Sequence, residues 1–79
     1  MQPDFNTLVI SIASSAVMSL GLEKNPVTGK TEKNLEMASF NIDLLTLLKD
    51  KTKGNLSESE NNYLNAIITD LQLKYVQQK

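Results

Sequence analysis

Apolar residues in the segment 34–53, NLEMASFNIDLLTLLKDKTK, recur at helical spacing but surround about two thirds of the helix circumference. A helix on the surface of a globular protein has one apolar stripe with polar residues opposite it. The wide apolar arc therefore predicts a central helix over 34–53 that packs on both flanks. We do not expect the rest of a 79-residue chain to cover this arc alone, and we predict that a second copy helps to bury it.

Two further helices are predicted on either side of this segment. Residues 5–20 carry no charge and combine an apolar face with Ser and Thr side chains, whose hydroxyls can donate to backbone carbonyls one turn earlier. Residues 58–76 have ordinary amphipathic spacing, and with 34–53 they form an antiparallel hairpin. The prediction is an all-α fold of three helices in one domain, residues 1–79, completed by homo-oligomer packing.

Start and stop signals bound each predicted helix. The N-terminal caps are Asp4 for the first helix, Asn34 or Thr31 for the second, and Ser57 with Glu60 for the third. Gly21 and Gly54 lie beyond the C-termini of the first and second helices. Lys51 and Lys53, just before Gly54, leave two interpretations: a loop that binds phosphate, or a helix end whose dipole attracts positive charge. We favour the helix end, since anions bind at helix N-termini.

Composition excludes several kinds of chemistry. The chain has no cysteine and no histidine, which removes thiol nucleophiles, thiolate or imidazole zinc sites and imidazole acid–base catalysis. Eight basic side chains, all lysine, face nine acidic ones, so the basic face of a nucleic-acid-binding protein is missing. We predict no catalytic residues, cofactor, metal or nucleic-acid partner. An enzyme would depend on carboxylates, tyrosines or the lysines at 49, 51 and 53.

Two apparent ligand motifs have simpler explanations. Gly29-Lys30-Thr31 matches the end of a phosphate-binding loop, but the glycine five residues earlier is missing and no strand precedes it. We interpret it as a turn. Glu36, Asp43 and Asp50 recur every seven residues, yet a helix separates them by roughly 10 Å, too far to share one ion. We interpret them as a solvated strip.

The excess apolar surface is the predicted interface between copies, and a protein partner of unknown identity is also expected. Asn41 lies among apolar residues of the central helix, either as a buried amide that fixes the register of two helices or at the edge of the apolar arc. Leu73 falls outside the main stripe of the third helix. The predicted interface residues are Ser11, Ser15, Met37, Phe40, Asn41, Leu44, Leu47, Leu48 and Leu73.

The uncharged first helix leaves a membrane role as the alternative. Residues 5–22 approach membrane-spanning length, but they include six Asn, Thr or Ser residues. Binding to a membrane surface is the remaining membrane hypothesis, although such helices normally carry a charged polar face. The N-terminal sequence MQPDFN has an acid where a secretion signal has positive charge. We therefore expect a cytoplasmic protein.

Residue pairs and short runs spread over nearly the whole chain match the pattern of a known family: Asp4-Phe5, Leu20-Gly21-Leu22, Asn25-Pro26, Thr28-Gly29, Asn34-Leu35, Ile42-Asp43-Leu44-Leu45, Lys51-Thr52-Lys53-Gly54-Asn55-Leu56-Ser57 with Glu60, Asp70-Leu71 and Tyr75-Val76. On these residues the chain resembles a small bacterial family called domain of unknown function eighteen-forty-four. It implies a small, mostly helical, bacterial cytoplasmic protein, and it brings no activity, ligand or site residues. The chain differs from relatives at Ser39-Phe40-Asn41 and at Gln72, where relatives commonly have charged or amide residues and arginine, respectively.

Overall fold

Three α-helices make up the fold in a computed structural model that describes residues 4–79. They are α1 (Phe5–Ser19), α2 (Leu35–Lys51) and α3 (Glu58–Gln78). The all-α prediction is confirmed, and each helix begins within one residue of its predicted start. Every pair of helices is in contact. Packing between copies stays a prediction.

Both ends of α1 are closed by the residues that the sequence indicates. The Asp4 carboxylate accepts a hydrogen bond of 2.7 Å from the backbone N–H of Thr7. Gly21 adopts a φ of 78°, and the N–H groups of Gly21 and Leu22 donate to the carbonyls of Met18 and Val17. These two bonds are the Schellman pattern, which only a residue free to take positive φ permits without strain.

The connection between α2 and α3 is a helix stop followed by a helix start. The Thr52 hydroxyl donates to the carbonyl of Leu48 at 2.7 Å, and α2 ends at Lys51, two residues before its predicted end. Ser57 and Glu60 form the predicted capping box, with hydrogen bonds of 2.9 and 3.1 Å. No Gly or Pro follows residue 76, and α3 continues two residues beyond its predicted end.

A folded loop joins α1 to α2 and is closed at its base. Leu20 and Lys33 form an isolated antiparallel bridge, and the N–H of Asn34 donates to the carbonyl of Ser19 at 2.7 Å. The Asn34 side chain then caps α2 by accepting from the N–H of Met37 at 3.0 Å. The segment Gly29-Lys30-Thr31 therefore lies in a turn within this loop, with Gly29 at a φ of 72°.

The core lies where the three helices meet, and it is small. The inner side of α2 contributes to it together with Val9 and Ala16 of α1 and residues from the middle of α3. Partly buried side chains surround this centre, among them Phe5, Leu48 and Tyr75. The buried apolar residues are Val9, Ala16, Leu20, Ala38, Ile42, Leu45, Leu64, Ile68 and Leu71.

The molecule is flatter and more open than a compact domain of its length. It measures 38 × 30 × 16 Å, and its radius of gyration is 12.9 Å, against roughly 11.6 Å expected for a compact domain of this size. Its accessible surface of 5524 Å² also exceeds the roughly 4,800 Å² expected for a compact monomer of this mass. The chain thus leaves an unusual share of its surface uncovered.

Candidate interaction surface

Large apolar side chains remain exposed along one side of α2, which we call the outer stripe: Met37, Phe40, Leu44 and Leu47. Their spacing of three, four and three residues places them on one side of a helix. Met37, Phe40 and Leu47 have fractional exposures of 48%, 57% and 51%, and Leu44 is half-buried. None of the described residues of α1 or α3 buries these three side chains, so the outer stripe is free for contact.

α1 extends this apolar surface on the neighbouring side. Ser15 and Met37 line the same depression, which shows that this side of α1 borders the outer stripe. Leu8, nearly half exposed, lies seven residues before Ser15 and so on the same side of α1. Ser11 is exposed one turn away from Ser15. We refer to Leu8, Ser11 and Ser15 together with the outer stripe as the α1–α2 surface.

The serine side chains of this surface present few hydrogen-bond donors. The Ser11 hydroxyl donates to the carbonyl of Thr7 at 2.9 Å, and the Ser15 hydroxyl donates to the carbonyl of Ser11 at 3.3 Å. These bonds satisfy the hydroxyl donors within α1. What remains is a row of small side chains that allows a neighbouring helix to approach closely.

Charged groups lie beside the outer stripe and at the α2–α3 turn. Glu36, Asp43 and Asp50 are exposed, and in the described part of the chain no three acidic side chains converge as a metal site would require. A second depression, of about 610 Å³, lies at the α2–α3 turn and contains Lys49 and Lys53. Asp50 also lines it, so lysines and carboxylate offset one another there.

A third feature is a polar pocket of about 360 Å³ at the end of α1 and the start of α2. Its floor is Asn41, which has a fractional exposure of 7%. The sequence left open whether Asn41 is buried or lies at the edge of the apolar arc, and the structure shows that it is buried. The rim comes from both helices and from the α1–α2 loop. The lining residues are Ser15, Met18, Ser19, Asn25, Glu32, Asn34, Met37 and Asn41.

Comparison with known families gives one match, which spans residues 2–77. The matching model is described as Domain of unknown function (DUF1844). The chain belongs to this family. No curated protein and no solved structure matches it significantly.

The structure of this DUF1844 protein brings most of the predicted interface residues together, but not all. Leu48 is half-buried beside the core. Leu73 is exposed about 200° around α3 from buried Leu71, so it points away from the helices that α3 contacts. Leu73 is therefore separate from the α1–α2 surface.

Sequence reasoning missed two parts of the DUF1844 site. Leu8 was not among the predicted interface residues, yet it is nearly half exposed on the side of α1 that carries Ser15. The loop residues Asn25 and Glu32 were not predicted to approach Asn41, because helical periodicity carries no information on how a loop folds back. The Asn25-Pro26 turn signal was the available indication.

None of the three helices of the DUF1844 protein, all within residues 4–79, is long and apolar enough to cross a membrane. On α1 the two most exposed apolar side chains are Leu8 and Ile10, which lie about 200° apart around the helix.

Proposed function

We propose that this DUF1844 protein is a non-enzymatic interaction module that forms a homodimer through the α1–α2 surface and acts as an adaptor or regulatory partner of another protein. The observation that supports this proposal is the outer stripe. Three large apolar side chains at the spacing of a helix–helix contact remain about half exposed. Apolar side chains arranged in this way are typical of surfaces that bind another helix.

The shape of the chain supports a second copy as the occupant. Its accessible surface exceeds that of a compact monomer by about 700 Å². One partner in a standard protein–protein interface buries ~800 Å². A small core with no disulfide is also the situation in which association commonly supplements stability. The excess surface is thus of the size that a dimer contact would remove.

The outer stripe is also self-complementary. When two copies of α2 pair antiparallel, Phe40 meets the second copy's Leu44 and Met37 meets the second copy's Leu47. Such an isologous contact closes as a two-fold dimer and leaves no unpaired patch. The exposed strip of Glu36, Asp43 and Asp50 borders the outer stripe and would lie at the solvent-facing rim of this contact.

The exposure of the lysines supports a non-enzymatic role. A lysine becomes a general base near neutral pH when burial or a neighbouring positive charge lowers its pKa. Lys49, Lys51 and Lys53 are all exposed. The mixed charges of the turn depression also offer no concentrated positive site.

Sedimentation velocity from micromolar to sub-millimolar concentration tests the proposal. We expect the wild type to be dimeric and Phe40→Glu to raise the dimer dissociation constant at least tenfold, because the new carboxylate is buried in the contact. Ile10→Glu is the matched control, since Ile10 is 49% exposed but lies outside the α1–α2 surface. A monomeric wild type with a sharp unfolding transition contradicts the proposal, as does equal weakening by both variants.

A further inference from the structure

The pocket above Asn41 combines a buried amide with no partner and a polar rim. Within residues 4–79, Thr46 is the only side chain of α2 that forms a hydrogen bond, so the amide of Asn41 has none. No buried side-chain N or O atom among these residues is cut off from both solvent and a partner. The Asn41 amide is therefore reached through the pocket, and it offers one acceptor and two donors there.

Two other asparagines place free donors at the rim. The Asn25 side-chain oxygen accepts from the N–H of Val27 at 2.8 Å, and the Asn34 side-chain oxygen accepts from the N–H of Met37. Each bond fixes an oxygen and leaves the NH₂ group available. Both rim asparagines thus have NH₂ donors that no protein group within residues 4–79 uses.

The serines of the pocket contribute acceptors. The Ser15 and Ser19 hydroxyls donate to carbonyls one turn earlier in α1, the latter at 2.8 Å. Because their hydrogens are used in these bonds, their oxygens remain as acceptors. Together with the Asn41 oxygen they suit a ligand that also carries N–H groups.

The charges around the pocket favour a neutral ligand. The N-terminus of α2 at Asn34 favours an acceptor oxygen. The Glu32 carboxylate at the rim repels anions and attracts a ligand N–H. A group with a carbonyl oxygen and an NH₂ on one carbon satisfies both ends at once.

We propose that this pocket binds a primary carboxamide, which pairs with the Asn41 side chain through two antiparallel hydrogen bonds. The same chemistry occurs in small free amides and in the Gln or Asn side chain of a protein. A carboxamide would replace water on the Asn41 amide, to which no group within residues 4–79 forms a hydrogen bond.

An NMR titration of ¹⁵N-labelled full-length protein with acetamide tests the site, with acetate as the matched anion of the same shape. We expect saturable shifts of the Asn41 side-chain NH₂ resonances with acetamide and at least tenfold weaker binding of acetate. Asn41→Leu keeps the side-chain size and should lower acetamide affinity at least tenfold. No saturable shift at Asn41, or equal affinity for the two probes, overturns the proposal even without a variant.

Two further arms identify the source of the carboxamide. If free glutamine binds more tightly than a short helical peptide with one exposed glutamine, the site takes a small amide, and the reverse order indicates a protein side chain. Glutamate in place of glutamine should bind at least tenfold more weakly in either arm. Because Ser15 and Met37 belong to both the pocket and the α1–α2 surface, acetamide should still bind to the Phe40→Glu variant, in which a second copy no longer covers the pocket.

Discussion

The helix ends find their hydrogen-bond partners close by in the sequence, whereas the outer side of α2 is left without a covering surface. Asp4, Asn34 and Ser57 each accept a hydrogen bond from a backbone N–H within the next three residues. Phe40 and Leu47, in contrast, find no covering surface among the described residues and stay about half exposed. A cap needs a neighbour in sequence, whereas burial needs area from distant parts of the chain. A chain this short supplies the first more readily than the second.

The largest difference in the free energy of unfolding is expected between substitutions on the inner and on the outer side of α2. Leu45 is fully buried, so Leu45→Ala should lower the free energy of unfolding by about 2–5 kcal/mol through lost contacts and a cavity. Leu47→Ala should cost less than about 1 kcal/mol in the monomer, because its side chain is already half in water. Urea denaturation in the Phe40→Glu background measures both without the contribution of association. Similar costs for the two changes would show that the monomer already buries the outer stripe.

The left-handed glycines test how tightly a helix end is specified. Gly21→Ala should destabilise the protein by about 1–2 kcal/mol, since an alanine resists positive φ and its Cβ would lie 3.3 Å from the Cβ of Lys33. An alanine Cβ at position 29 would have no neighbouring atom within 4 Å, so Gly29→Ala should lower the stability less than Gly21→Ala. Thermal unfolding of the two variants measures the difference. A greater loss at Gly29 would contradict the closed base of the α1–α2 loop.

The capping box of α3 should contribute a moderate and purely local effect. Ser57→Ala removes the oxygen that accepts from the N–H of Glu60 and should cost about 1 kcal/mol. Ser59→Ala, an exposed change in the same turn, is the control and should be nearly neutral. Chemical denaturation compares them, and equal values would remove the capping role of Ser57.

The smallest expected effect is a dependence on pH at the start of α1. The backbone hydrogen bond from Thr7, with its side-chain hydrogen bond, holds the pKa of Asp4 below the ordinary value of 3.8. Since the folded pKa is lowered, the contribution of Asp4 is complete above pH 3.8 and is lost as pH falls through the folded value. Asp4→Asn keeps a cap but cannot titrate.

Melting temperatures across the acid range measure this effect as a difference between two curves. The advantage of the wild type over Asp4→Asn should decline as pH falls below 3.8. Parallel curves would show that ionisation of Asp4 does not stabilise α1.

The sequence was sufficient to predict the helices because their ends carry local chemistry. Gly21 and the pair Ser57–Glu60 adopt the expected geometry, and the starts agree closely. The C-termini of α2 and α3 were less accurate. α2 ends two residues earlier than predicted, ahead of Gly54 at positive φ, and α3 contains no residue that breaks a helix.

The candidate site was predicted less completely because it depends on how segments meet. Spacing alone places Met37, Phe40 and Leu47 on one stripe of α2. It cannot decide which arc of α1 faces that stripe, which is why Leu8 was not among the predicted interface residues. The rim that Glu32 provides depends on a loop conformation that no periodic pattern encodes.

The closed base of the α1–α2 loop makes its tip a useful attachment point. Leu20 and Lys33 hold the two strands of the loop together, while Val27 at the tip is 91% exposed. A peptide tag inserted after Val27, or a fluorophore on a cysteine placed there, should leave helix packing intact, because exposed loop tips tolerate insertion. The chain has no native cysteine to compete for the label. A single probe at this position can therefore report on whatever approaches the neighbouring pocket.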